Sequence, residues 1–428
     1  MQNETIPFQA PVKNALTMQI ATIGAFFFIF GFITWVNGTL IPYLRIACEL
    51  EEWQAYLVTF AFYISYTVMA IPSSKLLQFI GMVKGMRVGL VIMAFGCAIF
   101  VPAALIRYYP LFLFGLFIVG TGTTLLQTAV NPYITLLGPP EKAAQRISIM
   151  GISNKFAGVL APIILGAIIL KNSDGLIAEL EAMTVNERQI RLDNLAHAVI
   201  LPYLALTLIL LIIAYLIKFA HLPEIEAALA TDEEHEALSA KQAMRVRKNF
   251  ILGFIATFST VGLEVIAGDT IGNYGIYHGL SLNVSKHLTS YTLASTMVGY
   301  LFGVYAIPKL ISQEKAFIYS SCLGIVISLL AIFMPGISSI VFIALLGLSN
   351  ALLWPAIWPQ ALKGLKGKKL NQGSAILIMG VAGGAIMPLA YSALAKYTNN
   401  QYAYMVLIPC YLFTLYYSLT NIKLKHRF

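Results

Sequence analysis

Long apolar runs follow one another along almost the whole chain, and they constrain its fold more than any other feature. Many reach the roughly 20 residues that a helix needs to cross a bilayer. Within lipid every backbone N–H and C=O must be paired internally, so only helices and closed barrels are viable. The runs are continuous rather than alternating at period two, which argues against a barrel. The expected fold is therefore an all-α membrane protein. Composition agrees: 58% of residues are hydrophobic and 11% are charged, where soluble domains carry about 25% charge. The polar start "MQNETIPFQAPVKNAL" lacks the basic, apolar and small-residue zones of a cleavable leader.

The runs divide into twelve expected spans, near 16–45, 54–78, 86–106, 110–137, 146–170, 199–219, 249–278, 288–308, 316–334, 338–361, 372–396 and 402–421. Orientation follows from charge. With both termini in the cytoplasm, that side receives 20 of the 28 Lys and Arg, the outer side seven, and Lys155 lies within a span. This is the positive-inside pattern, so the net charge of +9 needs no nucleic-acid partner. A multi-pass membrane protein is expected, its lasting partner the lipid bilayer. Residues 171–198 form an outer loop whose "LIAELEAMTVNERQIRLDNL" reads as a surface helix. Residues 220–248 form a cytoplasmic linker with the acidic cluster "TDEEHE", dividing a six-span half (1–219) from a second (249–428).

The halves echo each other. "FGFITWVNGTLI" (30–41) aligns with "VGLEVIAGDTIG" (261–272) at an offset of 231, and "SIMGIS" (148–153) with "LIMGVA" (377–382) at 229. A near-constant offset points to a duplicated six-helix unit, as in transporters built from internal repeats.

Ionisable groups inside a bilayer cost several kcal/mol, roughly 2.5–3.5 on insertion scales, and are functional by default. Three lie deep: Lys155, Glu264 and Asp269. They can line a watered cavity and bind a cation, a proton or a polar solute, or form a buried ion pair that only fixes packing. Five residues turn about 500° on a straight helix, which leaves Glu264 and Asp269 roughly 140° apart. Gly262, Gly268, Gly272 and Gly275 make a local break between or beside them plausible; they also permit close helix packing.

Uncharged polar groups gather in corresponding spans. Span 1 has Asn37-Gly38 before Pro42, span 4 has Gln127 and Asn131 four apart, and span 5 has Asn154 beside Lys155. In span 10, "NALLWPAIWPQ" steps Asn350, Trp354 and Trp358 by four, which puts an amide and two indoles on one helical face. Amides both donate and accept, and indoles are flat apolar platforms with one donor. That set suits a neutral, hydroxyl-rich ligand with apolar C–H faces, such as a sugar. Trp53 fits an interfacial belt, while Trp35, Trp354 and Trp358 lie deeper, the last two being the foremost candidates for substrate contact. The four cysteines match no metal spacing, and the six histidines fall in loops or at span ends. No phosphate-binding loop and no HExxH is present. An enzyme is not expected, nor a metal or cofactor beyond a coupling ion, H+ or Na+.

With these residues in view, the chain resembles the major facilitator superfamily, and within it the fucose–galactose–glucose:cation symporters. The segments that carry the resemblance are "FGFITWVNGTLIPYL", "AFYISYTVMAIPS", "LLQTAVNPYITLLGP", "SIMGISNKFAGVLAP", "LEVIAGDTIG" and "NALLWPAIWPQAL". They are most similar to the glucose/galactose or N-acetylglucosamine permease branch. "GMVKGMRVG" (81–89) is a degenerate form of the superfamily's loop between spans 2 and 3. The resemblance implies twelve helices in two pseudo-symmetric halves (the major facilitator fold), a monomer, and import of a monosaccharide by cation symport through alternating access. It also implies a sugar-contacting Asn at Asn154. Fucose-type members carry an Asp where Gly38 stands, a Glu where Gln127 stands and a small polar residue where Lys155 stands, so coupling is not inherited at the first two positions. Gly38 and Asp269 are equivalent across the repeat. The acidic function is therefore expected to have moved from span 1 to span 7, to Asp269 or Glu264, with Lys155 as a resident cation. The expected sugar-binding set is Asn37, Gln127, Asn131, Asn154, Lys155, Asn350, Trp354 and Trp358. The competing readings are an uncoupled sugar facilitator and a membrane sugar sensor that does not transport.

Overall fold

The structure is a computed structural model that describes residues 13–136, 143–170, 175–220, 222, 240–307, 310–365 and 367–425. The acidic cluster "TDEEHE" and the end of the basic tail lie outside the described residues. Among those described there are helices, turns and no strands. Eleven helical stretches are long and apolar enough to cross a membrane. The remaining expected span, Leu288–Ala306, is a 19-residue helix. It is less apolar because Thr289, Ser290, Thr292, Ser295 and Thr296 crowd its first half, and most of these side chains are buried against protein rather than facing lipid.

Twelve successive crossings return the chain to the face it started from, here called the terminal face. Spans 1 and 7 lead away from it toward the opposite face, and neither is a plain α-helix. Span 1 runs Lys13–Trp35, breaks at Val36 and resumes as Asn37–Ala47. Span 7 runs Ala240–Val265, passes through a π turn at Ile266–Thr270 and continues as Ile271–Tyr277. The glycine-rich stretch is thus the site of a change in helical winding. Span 10 is interrupted at Ala351–Leu352, between Ile337–Asn350 and Leu353–Ala361. Pro355 explains this, since it offers no N–H to the carbonyl four residues earlier and its ring clashes there. Pro359 in turn frees the Pro355 carbonyl, which accepts a bond from Gln313 Nε2 at 2.9 Å.

Packing relies on small residues, as lipid offers no hydrophobic drive between helices. A Cβ placed on Gly122 of span 4 would lie 2.5 Å from the Gly89 carbonyl of span 3, so the two backbones touch. The first six spans meet the last six along three seams: span 2 with span 11, span 5 with span 8, and the far end of span 1 with span 7. The expected surface helix is present as Val185–His197, opened by a capping box between Thr184 and Glu187. It lies on the opposite face, where Tyr43 OH of span 1 donates to its Leu195 carbonyl at 2.6 Å.

Candidate functional site

Glu264, on the last α turn before the π segment, forms an ion pair with Lys155 Nζ of span 5. The ammonium also lies 4.6 Å from the centroid of the Trp35 ring, a cation–π contact. Trp35 is only 3% exposed. It is wedged between glycines: a Cβ on Gly158 or on Gly268 would come within 2.6 Å of the indole. Trp35 therefore backs the ion pair and does not face an open space, contrary to its candidacy for substrate contact.

Asp269 lies within the π turn and is fully buried. Its Oδ2 accepts from Thr59 Oγ1 of span 2 at 3.2 Å, while Oδ1 has no hydrogen-bond partner among the described residues. On an α-helix the two acids would diverge; the wider π turn, with its i→i+5 spacing, turns both toward the first six spans. They meet different helices there, Glu264 span 5 and Asp269 span 2. The π turn's carbonyls are satisfied by hydroxyls. Thr289 Oγ1 donates to Gly268 O at 2.7 Å, Thr292 Oγ1 to Ala267 O at 3.2 Å and Thr270 Oγ1 to Ile266 O at 2.7 Å.

Around Asp269 the opposite face is closed. The Gly38 carbonyl lies 3.6 Å from where a Cβ on Gly272 would sit, and a Cβ on Gly38 would lie 2.5 Å from Thr289 Oγ1. Further bonds tie the first six spans to the last six along the other two seams: Asn400 Nδ2 to Glu52 Oε1 at 3.0 Å beside spans 2 and 11, and Lys286 Nζ to Leu170 O at 3.1 Å and Ser290 Oγ to Val159 O at 2.8 Å between spans 5 and 8. Asn37 is buried beside Gly38, and among the described residues neither of its amide atoms has a hydrogen-bond partner.

The other candidates lie toward the terminal face and are partly exposed: Gln127, Asn131, Asn154, Trp354 and Trp358. Gln127 Nε2 donates to Tyr66 OH at 2.9 Å, and Asn154 Nδ2 to Phe27 O at 3.3 Å. The Trp354 and Trp358 rings are 5.5 Å apart and tilted by 32°. Asn350 is separated from them by the span 10 break. It is buried, and its Oδ1 accepts from Tyr411 OH at 2.6 Å. The single-face arrangement read from the spacing thus holds for the tryptophans and stops short of Asn350, because Pro355 interrupts the helix.

Sequence reasoning missed Thr59, Tyr66, Thr289, Tyr411 and Asn273. Each is an ordinary residue of a membrane helix, and Thr59, Tyr66, Thr289 and Tyr411 are marked only by a partner distant in the chain. Asn273 alone carried a local signal, four residues after Asp269 on the same helix.

Residues 23–388 match the Major Facilitator Superfamily. The chain belongs to that superfamily. A Brucella abortus protein named glucose/galactose transporter is 33% identical over 98% of this chain and 99% of its own length. The L-fucose-proton symporter of Escherichia coli is 25% identical over 88% of this chain and 86% of its own. The crystal structure of the major facilitator transporter FucP in its outward conformation superposes with a TM-score of 0.74, at 23% identity, covering 95% of this chain and 99% of that one. This superfamily member is a membrane transporter built on the same helical frame.

Proposed function

We propose that the protein imports a monosaccharide of the glucose/galactose class by symport with a cation, H+ or Na+. Relatives named for glucose, galactose and fucose support the substrate class. The coupling rests on one observation: of two carboxylates at the seam, Glu264 has a resident counter-charge and Asp269 has none among the described residues. A carboxylate withdrawn from water without a counter-charge costs several kcal/mol as an anion. A cation arriving with the sugar removes that cost and lets the seam around Asp269 close. Gly38 supports the same assignment. Thr289 leaves no room for a side chain there, so an acid in this gate has to come from span 7.

In this reading the two units, 1–219 and 249–428 joined by 220–248, rock about the Lys155–Glu264 pair. Asn37 belongs to the gate. Gln127, Asn131, Asn154, Trp354 and Trp358 line the sugar path on the terminal side, with Asn350 held behind them by Tyr411. The excess of Lys and Arg on the terminal face makes that face cytoplasmic, in a bacterial inner membrane, and the protein acts as a monomer.

Proteoliposomes test this. The wild type should accumulate glucose or galactose against its gradient when a proton or sodium gradient is imposed. Asp269→Asn should keep sugar counterflow and lose uphill accumulation. If Asp269→Asn and Glu264→Gln both still concentrate sugar, neither acid couples transport. Equal wild-type uptake with and without either gradient would mean a facilitator, and binding without uptake a sensor.

A further inference from the structure

Just beyond the closed gate, on the opposite face, lies a cleft of about 440 Å³. Its walls come from the end of span 1, the surface helices Leu176–Ala182 and Val185–His197, and span 7 after the π turn. This volume falls within the roughly 300–1,000 Å³ of small-molecule sites. Arg45, Glu49, Glu181 and Arg188 line it together with leucine, isoleucine and proline side chains, and Asn273 is the one uncharged polar residue of the lining.

The cleft is constructed rather than incidental. Its surface-helix wall is held by Tyr43 to Leu195 O, by the Glu49–Arg188 pair at 2.8 Å and by the Arg107–Asp193 pair at 3.0 Å. Glu49 and Arg107 are the only non-glycine residues with positive φ among those described, at 53° and 46°. Such conformations cost free energy and persist where the surroundings enforce them. Both of these residues grip the same helix.

Two polar groups on the cleft are incompletely paired among the described residues. Asn273 is 2% exposed, with the buried Tyr56 hydroxyl as its polar neighbour and no well-formed hydrogen bond to either amide atom. Arg45 is half-buried and forms no ion pair among the described residues. A buried amide with unmet hydrogen-bonding capacity is costly, so a ligand that meets it is favoured. Two arginines balance two glutamates on the cleft wall, which favours a neutral ligand over an anion. A neutral molecule with many donors and acceptors and apolar C–H faces is a sugar.

We propose that this cleft is an entry subsite, where a hexose is held before the gate between spans 1 and 7 opens. Arg45 and Asn273 supply its hydrogen bonds. Asn37 and Asp269 lie next along the path. The proposal rests on the sugar-transport reading, and the test separates the two.

Fluorine NMR of the detergent-purified protein, titrated with fluorinated D-galactose, should show two bound environments of different affinity. Arg45→Met should weaken one of them about fivefold, the effect of losing one hydrogen bond, and leave the other intact. Asn273→Ala should act on the same environment. Trp358→Ala should affect only the second. A single environment, or two that ignore both cleft substitutions, overturns the entry subsite and leaves the transport reading standing. No bound galactose or glucose in the wild type overturns both.

Discussion

Lys155 and Glu264 are 109 residues apart, yet each is the other's charge partner. The lysine side chain is 8% exposed and the glutamate 19%, so removing one partner strands the other in a poorly solvated place. A fully buried stranded charge costs about 3–5 kcal/mol; the partial exposure of Glu264 brings the expected loss for Lys155→Ala down to about 1–3 kcal/mol. The double variant Lys155→Ala/Glu264→Gln removes both charges and should regain most of that loss, giving a coupling energy of about 1–2 kcal/mol. Thermal unfolding of the four proteins in detergent measures it, and additive losses would show that the pair contributes nothing. Gly38 permits a second prediction at this scale. Its added Cβ would meet Thr289 Oγ1 at 2.5 Å and Cγ2 at 2.9 Å, and overpacking of this kind costs about 1–3 kcal/mol. Gly38→Ala should therefore slow sugar exchange about tenfold by disfavouring the closed gate. Gly38→Ala/Thr289→Ala should restore the rate, since the second change clears the space. Persistent slowness in the double variant would place the fault elsewhere than in this contact.

At the level of single elements, the π turn of span 7 decides where the acids point. Its carbonyls depend on hydroxyls from span 8, and such bonds in membrane proteins contribute about 0.6 kcal/mol each. Thr289→Val with Thr292→Val should cost about 1 kcal/mol in the same unfolding assay and lower the accumulation ratio more than the counterflow rate. An equal fall in both would mean that the turn serves packing alone. The glycines made a break in this element legible in the sequence, and the carboxylates marked it as worth reading. Its form was not legible, because π winding is fixed by what span 8 offers, and span 8 is brought alongside only by the tertiary fold. The same limit applies to Asn350. The step of four to Trp354 is plain in the sequence, but the consequence of Pro355 between them depends on Tyr411 being there to take the amide. Trp35 shows a related limit: its place in span 1 says nothing of the glycines that bury it, which come from spans 5 and 7.

Across the whole molecule, the seams divide into two kinds. Between the opposite-face loops and Asp269 the two six-span units are tied by polar bonds and by backbone contact at Gly38 and Gly272. Toward the terminal face, the described residues of spans 4 and 10 form no comparable seam, and their Gln127, Asn131, Trp354 and Trp358 remain partly exposed. Rocking transport requires the tied face to part once in every cycle. The Glu52–Asn400 bond, at 3.0 Å across the two units, is the place to hold it shut. Cysteines at both positions, in a variant whose native Cys48, Cys97, Cys322 and Cys410 are replaced by serine or alanine, can be joined by a short bifunctional thiol reagent with a cleavable disulfide. Uptake from the opposite face should fall by at least about 90% on cross-linking and return on reduction, since no sugar passes a gate that cannot open. Galactose binding from the terminal side should survive, because the lock leaves that path untouched. Full uptake with every molecule cross-linked would show that this seam stays closed during transport, and the path would then have to run elsewhere than between spans 1 and 7.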